Sequence, residues 1–226
     1  MSAAQKSVRV KICGLSTPET VKAAVAAGAD AIGFNFYARS PRYVSPELAA
    51  ELATLVPKDV LKVALAVDAD DATLDKIVAA LEPDILQLHG EETPERLVEL
   101  KRRYGITLMK VIPISGPEDP ARASIYRDSA DLLLFDAKAP KSMPNAMPGG
   151  NGLVFDWSLL ANQKPETPWM LSGGLTPENV GEAIRISGAE AVDVASGVED
   201  APGRKNPELI AKFIRAAKSA GGAATR

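Results

Sequence analysis

The run Val8-Arg9-Val10-Lys11-Ile12-Cys13-Gly14 decides the fold. Alternation along a strand places Arg9, Lys11 and Cys13 on one side and Val8, Val10 and Ile12 on the other. In a barrel the apolar set faces surrounding helices, while the polar set points inward and ends in a thiol at the open mouth. Cys13 is the single cysteine of 226 residues, so it forms no intramolecular disulfide. It is either a small buried hydrophobe or a reactive thiol. An isolated cysteine is more often core filling, but two cations on its face and the glycine after it favour chemistry.

Working outward, β-branched and apolar runs recur about every 25 residues. They fall at Val8–Cys13, Ala31–Phe36, Val60–Val67, Ile85–His89, Thr107–Ile114, Asp131–Ala137, Trp169–Ser172 and Ala191–Ser196. Helical patterns lie between them, several opening on one device: an N-cap side chain, a proline at the first helical position and an acid in the first turn. Thr17-Pro18-Glu19-Thr20, Ser45-Pro46-Glu47, Thr93-Pro94-Glu95 and Thr176-Pro177-Glu178-Asn179 start the first, second, fourth and seventh helices, and Asn206-Pro207-Glu208 starts the last. Alternating strands and helices predict a parallel sheet with right-handed crossovers. Eight such units predict a single α/β domain, a (β/α)8 barrel spanning residues 1–226. Short flexible ends are expected at about 1–6 and 219–226. An open doubly wound sheet would carry Gly-x-Gly-x-x-Gly after its first strand, and Gly14-Leu15-Ser16-Thr17-Pro18 does not match. The segment Ala139–Gly152, rich in Pro, Gly and Asn, reads as a long loop after the sixth strand.

Composition narrows the classes. Hydrophobic residues make up 46% and charged residues 24% of the chain, ordinary for a globular protein. A net charge of −3 with no basic cluster gives no reason to expect nucleic acid as a partner. No apolar stretch reaches about 18 residues, so no membrane span is expected. Residues 1–6 lack the apolar core of a signal peptide, and one free thiol suits a reducing cytoplasm. With one histidine and one cysteine, a structural zinc site is not expected.

In barrels of this kind the chemistry lies at the C-terminal ends of the strands. The first strand ends in Cys13, and Ser40-Pro41-Arg42 follows the second. The fourth puts Gln87 and His89 on one parity, and the sixth places Asp136 in line with Leu132 and Leu134. Strand seven ends in Ser172-Gly173-Gly174, and strand eight runs Val192-Asp193-Val194-Ala195-Ser196-Gly197. Gly173, Gly174, Ser196 and Gly197 leave backbone N–H groups open, as a phosphate cradle would; either loop alone could simply close a tight turn. Asp136 is a candidate general acid or base, its alternative a cap or an ion pair with Lys138 or Lys141. His89, beside Gln87, is read as a substrate contact, and Arg42 as a fork for a carboxylate or a solvated surface charge. Asp193 contacts substrate or anchors loop backbone.

Taken in order, these motifs resemble the phosphoribosylanthranilate isomerase family of tryptophan biosynthesis. The resemblance rests on Lys11-Ile12-Cys13-Gly14, Gly33-Phe34 through Ser40-Pro41-Arg42-Tyr43, and Gln87-Leu88-His89-Gly90. It continues through Phe155-Asp156-Trp157, Ser172-Gly173-Gly174-Leu175 with Pro177-Glu178-Asn179-Val180, and Val192-Asp193-Val194 with Ser196-Gly197-Val198-Glu199. It implies an Amadori rearrangement of N-(5'-phosphoribosyl)anthranilate to 1-(2-carboxyphenylamino)-1-deoxyribulose 5-phosphate with no cofactor and no metal. It also implies Cys13 as general base, Asp136 as general acid, Arg42 at the anthranilate carboxylate, and the Gly173-Gly174 and Ser196-Gly197 turns at the phosphate. The chain departs from the family pattern at Asn151, where threonine or serine is usual, at Ala195, where serine is common, and at Asp68, where asparagine is typical.

The nearest rival is the related phosphoribosyl isomerase of histidine biosynthesis, which would carry an aspartate in place of Cys13. A non-catalytic barrel that only binds a sugar phosphate would keep the glycine loops without needing Cys13 and Asp136 together. The expected partner is a small phosphosugar, and the expected assembly a monomer or homodimer.

Overall fold

The computed structural model describes residues 7–139, 142, 147–161 and 165–221. Eight parallel strands pair in sequence order, and the eighth closes on the first. They are β1 (Arg9–Cys13), β2 (Ala31–Asn35), β3 (Leu61–Ala66), β4 (Ile85–Leu88), β5 (Thr107–Ile114), β6 (Leu132–Ala137), β7 (Trp169–Leu171) and β8 (Ala191–Val194). The crossovers carry α1 (Pro18–Ala26), α2 (Pro46–Ala53), α3 (Asp71–Leu81) and α4 (Pro94–Tyr104), then the short α5 (Ser158–Ala161) and α6 (Val180–Ser187), and α7 (Pro207–Gly221) follows the last strand. A small antiparallel hairpin, β9 (Glu199–Ala201) and β10 (Arg204–Lys205), lies between β8 and α7.

The parity of β1 sorts the core as the sequence predicts. Val10 and Ile12 pack in the shell between sheet and helices, with Leu52, Ile77, Leu97 and Phe213 among their companions. A second cluster fills the barrel itself: Ala31, Val63, Ile85, Met109, Val111, Leu134 and Met170. Lys11 shares that interior and has no solvent exposure. Arg9, one pleat lower, is exposed at the opposite end of the strand.

The helix starts follow their capping residues. Thr17, Ser45 and Thr93 accept from the backbone N–H groups of Thr20, Leu48 and Arg96, and Asp70 does the same for α3 from Thr73. Three crossovers differ from the sequence reading. The segment between β5 and β6 is a 3-10 helix, Asp119–Tyr126, and the described part of α5 is one turn, Ser158–Ala161, with residues 162–164 outside the described residues. The seventh helix begins at Val180 and not at the Thr176-Pro177 signal. There the Asn179 side chain accepts from Thr176 N–H at 2.7 Å and donates to the Gly174 carbonyl at 3.0 Å, drawing the segment into a turn against the strand-seven loop. At the C-terminal end the expected loose tail is helical through Gly221. Residues 1–6 and 222–226, like Lys141 in the strand-six loop, lie outside the described residues.

Gly33 on β2 is paired with Cys13, and its missing side chain makes room for the thiol. A methyl group there would stand 2.9 Å from Cys13 Sγ and 3.2 Å from Lys11 Cε. Gly33→Ala should therefore lower the unfolding free energy by about 1–3 kcal/mol through overpacking, seen as a fall in the urea midpoint. An unchanged midpoint would mean that this layer of the barrel has slack.

Candidate active site

Strand register places the first functional pair. Lys11 and Asp193 are direct partners across β1 and β8, and Lys11 Nζ meets Asp193 Oδ1 at 2.9 Å. Burial alone would depress the lysine, but Asp193 and Cys13 outweigh it and hold the ammonium above its ordinary range. Ser172 at the end of β7 donates to the other carboxylate oxygen at 3.3 Å. Cys13, two residues beyond Lys11 and 4% exposed, opens into the cavity above this pair. Burial pushes its thiol up; the charges of Lys11 and Lys205 oppose that rise, and Asp193 adds to it. The cations flanking Cys13 thus moderate the cost of ionising it without reversing that cost.

The cavity encloses about 710 Å³ of empty volume, counting its open mouth, at the C-terminal ends of the strands. Nine of the ten residues singled out from sequence line it: Cys13, Arg42, Gln87, His89, Asp136, Gly173, Gly174, Asp193 and Ser196. Gly197 does not. A methyl group on it would fall 1.8 Å from the Leu175 carbonyl oxygen, so its role is to let the strand-eight loop lie against the strand-seven loop. The two glycine turns are thereby in direct contact. Gly173 and Gly174 have φ of +89° and +61°, and side chains there would strike Ala137 N and Leu153 O respectively.

Asp136 is 6% exposed and forms no cap. Its Oδ1 accepts from the Ala137 N–H at 2.9 Å, and its Oδ2 lies 3.4 Å from His89 Nε2. The Gln87 amide sits 3.5 Å from His89 Nδ1, and the Gln87 Oε1 is buried without a hydrogen-bond partner among the described residues. Gly149 of the strand-six loop passes directly over this group: a side chain there would come within 2.6 Å of both His89 and Asp136. Asn151 staples that loop, accepting from Met147 N–H and donating to Met147 O.

Arg42 is no surface charge; it is 5% exposed. Its side chain crosses Gly14, where a methyl group would stand 2.7 Å from Arg42 Cδ. The Ser40 hydroxyl, which accepts from Asn35 Nδ2 and from Arg42 N–H, fixes the loop that carries it. The guanidinium donates from Nε and Nη2 to the two oxygens of Glu199, both at 2.8 Å, and from Nη2 to Gly150 O at 3.2 Å. Burial would raise the Glu199 carboxyl, but Arg42 and Lys205 hold it below the usual carboxylate range. Sequence reasoning assigned no role to Glu199 or Lys205. Their signal was faint, a glutamate closing the Ser196-Gly197-Val198-Glu199 motif and a lysine six residues later.

The departures from the family pattern fall into place locally. Asp68, with φ of +45°, does not line the cavity; its carboxylate accepts from Glu91 N–H at 2.7 Å and so ties the strand-three loop to the strand-four loop. Ala195 lines the cavity and turns its carbonyl to Lys205.

Among the described residues no helix is long and apolar enough to cross a membrane. A family model for N-(5'-phosphoribosyl)anthranilate isomerase matches residues 10–216. The chain is 72% identical over 214 residues to the N-(5'-phosphoribosyl)anthranilate isomerase of Parvibaculum lavamentivorans, covering 95% of this chain and all of that one. The solved structure of phosphoribosyl anthranilate isomerase from Thermotoga maritima superposes with a TM-score of 0.82 at 38% identity, over 94% of this chain and 99% of that one. A further structure, at TM-score 0.79, 37% identity and the same coverage, is of the isomerase in complex with reduced 1-(o-carboxyphenylamino)-1-deoxyribulose 5-phosphate. Another, of the Thermotoga maritima protein, is of monomers generated from a dimeric isomerase. These matches do not favour the histidine-pathway isomerase or a silent sugar-phosphate barrel. The chain belongs to the N-(5'-phosphoribosyl)anthranilate isomerase family, the aldose–ketose isomerases of tryptophan biosynthesis.

Proposed function

We propose that in this cavity Cys13 acts as general base and Asp136 as general acid in the Amadori rearrangement of N-(5'-phosphoribosyl)anthranilate. Asp136 gives a proton to the furanose oxygen as the C1′–O bond breaks, and the nitrogen lone pair forms the Schiff base. The Cys13 thiolate then takes the C2′ proton, with the protonated imine as electron sink, and the resulting enolamine tautomerises to the ketose. The protein supplies proton transfer and positioning. The observation that carries this reading is the convergence of one thiol and one carboxyl, from β1 and β6, on a single cavity. Those strands are three apart one way round the barrel and five the other, so the two groups address a sugar from different sides.

The remaining contacts follow from charge. Arg42 takes the anthranilate carboxylate, and Gly173, Gly174, Ser196 and Gly197 form the phosphate end, Gly197 by shaping the turn. Gln87 and His89 meet the sugar, where the unpartnered Gln87 Oε1 accepts from a hydroxyl. Asp193 acts on substrate chiefly through its hold on Lys11. The enzyme works in the cytoplasm, as a monomer or a homodimer.

Cys13→Ser and Asp136→Asn should each lower kcat by at least about 10²-fold with KM moving far less. A folded Cys13→Ser enzyme with near-native kcat would reduce the thiol to core filling. Arg42→Ala removes a charge-assisted bond and should raise KM about 10- to 100-fold, the equivalent of about 1.5–3 kcal/mol; unchanged KM and kcat would take Arg42 out of the site.

A pH test follows from the buried thiol. Because its pKa is raised, less thiolate exists at a given pH than for an ordinary cysteine, and the thiolate fraction grows only as pH climbs further. With a single cysteine in the chain, iodoacetamide labelling reads this one site. The labelling rate should rise along a curve displaced to higher pH than that of a free thiol. A curve displaced to lower pH would mean that the cations dominate after all.

A further inference from the structure

Lys205 does not line the cavity, yet both of its contacts lead there. Its side chain is 1% exposed, and Nζ donates to Glu199 Oε1 at 2.7 Å and to the Ala195 carbonyl at 2.8 Å. Glu199 is the residue that grips Arg42. Ala195 precedes Ser196, the start of the strand-eight turn. One buried ammonium therefore touches the supports of both ends of the substrate site.

The hairpin is built to put it there. Lys205 stands opposite Glu199 in the antiparallel register of β9 and β10. The turn uses Gly203 with φ of +80°, where a side chain would meet the Pro41 carbonyl oxygen at 2.3 Å. The hairpin is thus seated on the loop that carries Arg42, and Gly203 N–H adds a bond to Glu199 Oε2 at 3.2 Å.

Two consequences follow for anions. An isolated Arg42–Glu199 pair would be neutral and would offer an incoming carboxylate little net attraction. Burial and the nearby Arg42 lower the Lys205 ammonium from its ordinary range, while Glu199 supports it. In its protonated form Lys205 gives the cluster two cations and one anion, a net +1 among buried side chains, where charge acts strongly. Glu199 and Gly150 together occupy Nε and Nη2, and Nη1 is the part of the fork they leave unused. At the other end, the C=O and N–H of a trans peptide point in opposite directions. Holding the Ala195 carbonyl on Lys205 therefore turns the Ser196 N–H away from Lys205.

We propose that Lys205 is a positioning residue that sets both anion-binding ends of the cavity at once, leaving Arg42 net positive for the aromatic carboxylate and orienting the Ala195–Ser196 peptide for the phosphate. The inference rests on the assignment of those two ends given above. Its test follows turnover by loss of phosphoribosylanthranilate fluorescence in the full-length enzyme, with inorganic phosphate and anthranilate as competing probes. Both probes should compete in the unaltered enzyme; if neither does, the assignment of the ends fails before Lys205 is at issue. Lys205→Met should raise KM, and the inhibition constants of both probes, about tenfold or more, and Lys205→Arg should restore them. The two inhibition constants separate lost anion binding from any fall in kcat caused by losing a cation near Cys13. A folded Lys205→Met enzyme that keeps its KM and both inhibition constants, or that weakens toward only one probe, would overturn the proposal. Should Lys205→Met fail to fold, Lys205→Gln, which can still donate to Ala195 but carries no charge, should raise the anthranilate inhibition constant about tenfold and leave that of phosphate nearly unchanged. An unchanged anthranilate constant, or an equal loss of both, would overturn the proposal.

Discussion

A lysine with no solvent exposure in the middle of a barrel persists only as one half of an ion pair. Lys11 and Asp193 form that pair between the first and last strands, at the seam where the sheet closes on itself. Removing either partner would leave an uncompensated charge in the interior, a loss of about 3–5 kcal/mol in comparable buried pairs. The pair also pins parity. A slip of one residue in β1 would send Lys11 into the apolar shell and pull Val10 or Ile12 inside. With Lys11 held, Cys13 has to emerge at the mouth on the same side, and Asp193 has to follow on β8.

The same device recurs around the mouth, where buried charges hold loops in place of strands. Lys110 on β5 meets Glu92 at 2.7 Å and donates to the Gly90 carbonyl, while Glu92 accepts from the backbone N–H groups of Asp68 and Gly90. Tyr126 closes that group, its hydroxyl donating to Glu92 O at 2.9 Å and its ring lying beneath Lys110. The loop so held carries His89. Glu199 and Lys205 do the equivalent for Arg42. His89 and Arg42 thus each stand on a segment held by a buried ion pair, which limits how far these two side chains can drift.

Burial that protects the site also opposes the proposed role of Cys13 as a base. The position that shields Cys13 from solvent raises its thiol, and the neighbouring Asp193 carboxylate does the same. Lys11 and Lys205 offset part of this. A base that is hard to ionise is also a stronger base once ionised, which suits removal of a proton from carbon, whereas a thiolate fully relaxed by cations would be a weaker one.

Alternation in Val8–Cys13 and the repeated proline caps carry the eight-stranded order, because periodicity and capping are local properties of a chain. The strand-end residues were legible for the same reason: parity tells which side chain points inward, and nine of the ten selected do line the cavity. One miss is a local competition between turn and helix, and the others depend on residues far apart in sequence. The late start of α6 follows from a side-chain bond between Asn179 and Gly174 that competes with the Thr176-Pro177 signal. The need for glycine at 197 comes from Leu175 of the neighbouring loop, whose carbonyl stands against it. Arg42 reads equally well as a surface charge until Glu199, 157 residues later, is brought beside it. Whether the cations beside Cys13 prevail depends on how much water folding removes from the thiol, a quantity set by packing from every side. The sequence by itself thus determined the barrel, its inward-facing parity and the chemical types at its mouth; only the tertiary structure decided which charges are paired, which are neutralised and how deeply each is buried, because those are sums over distant neighbours.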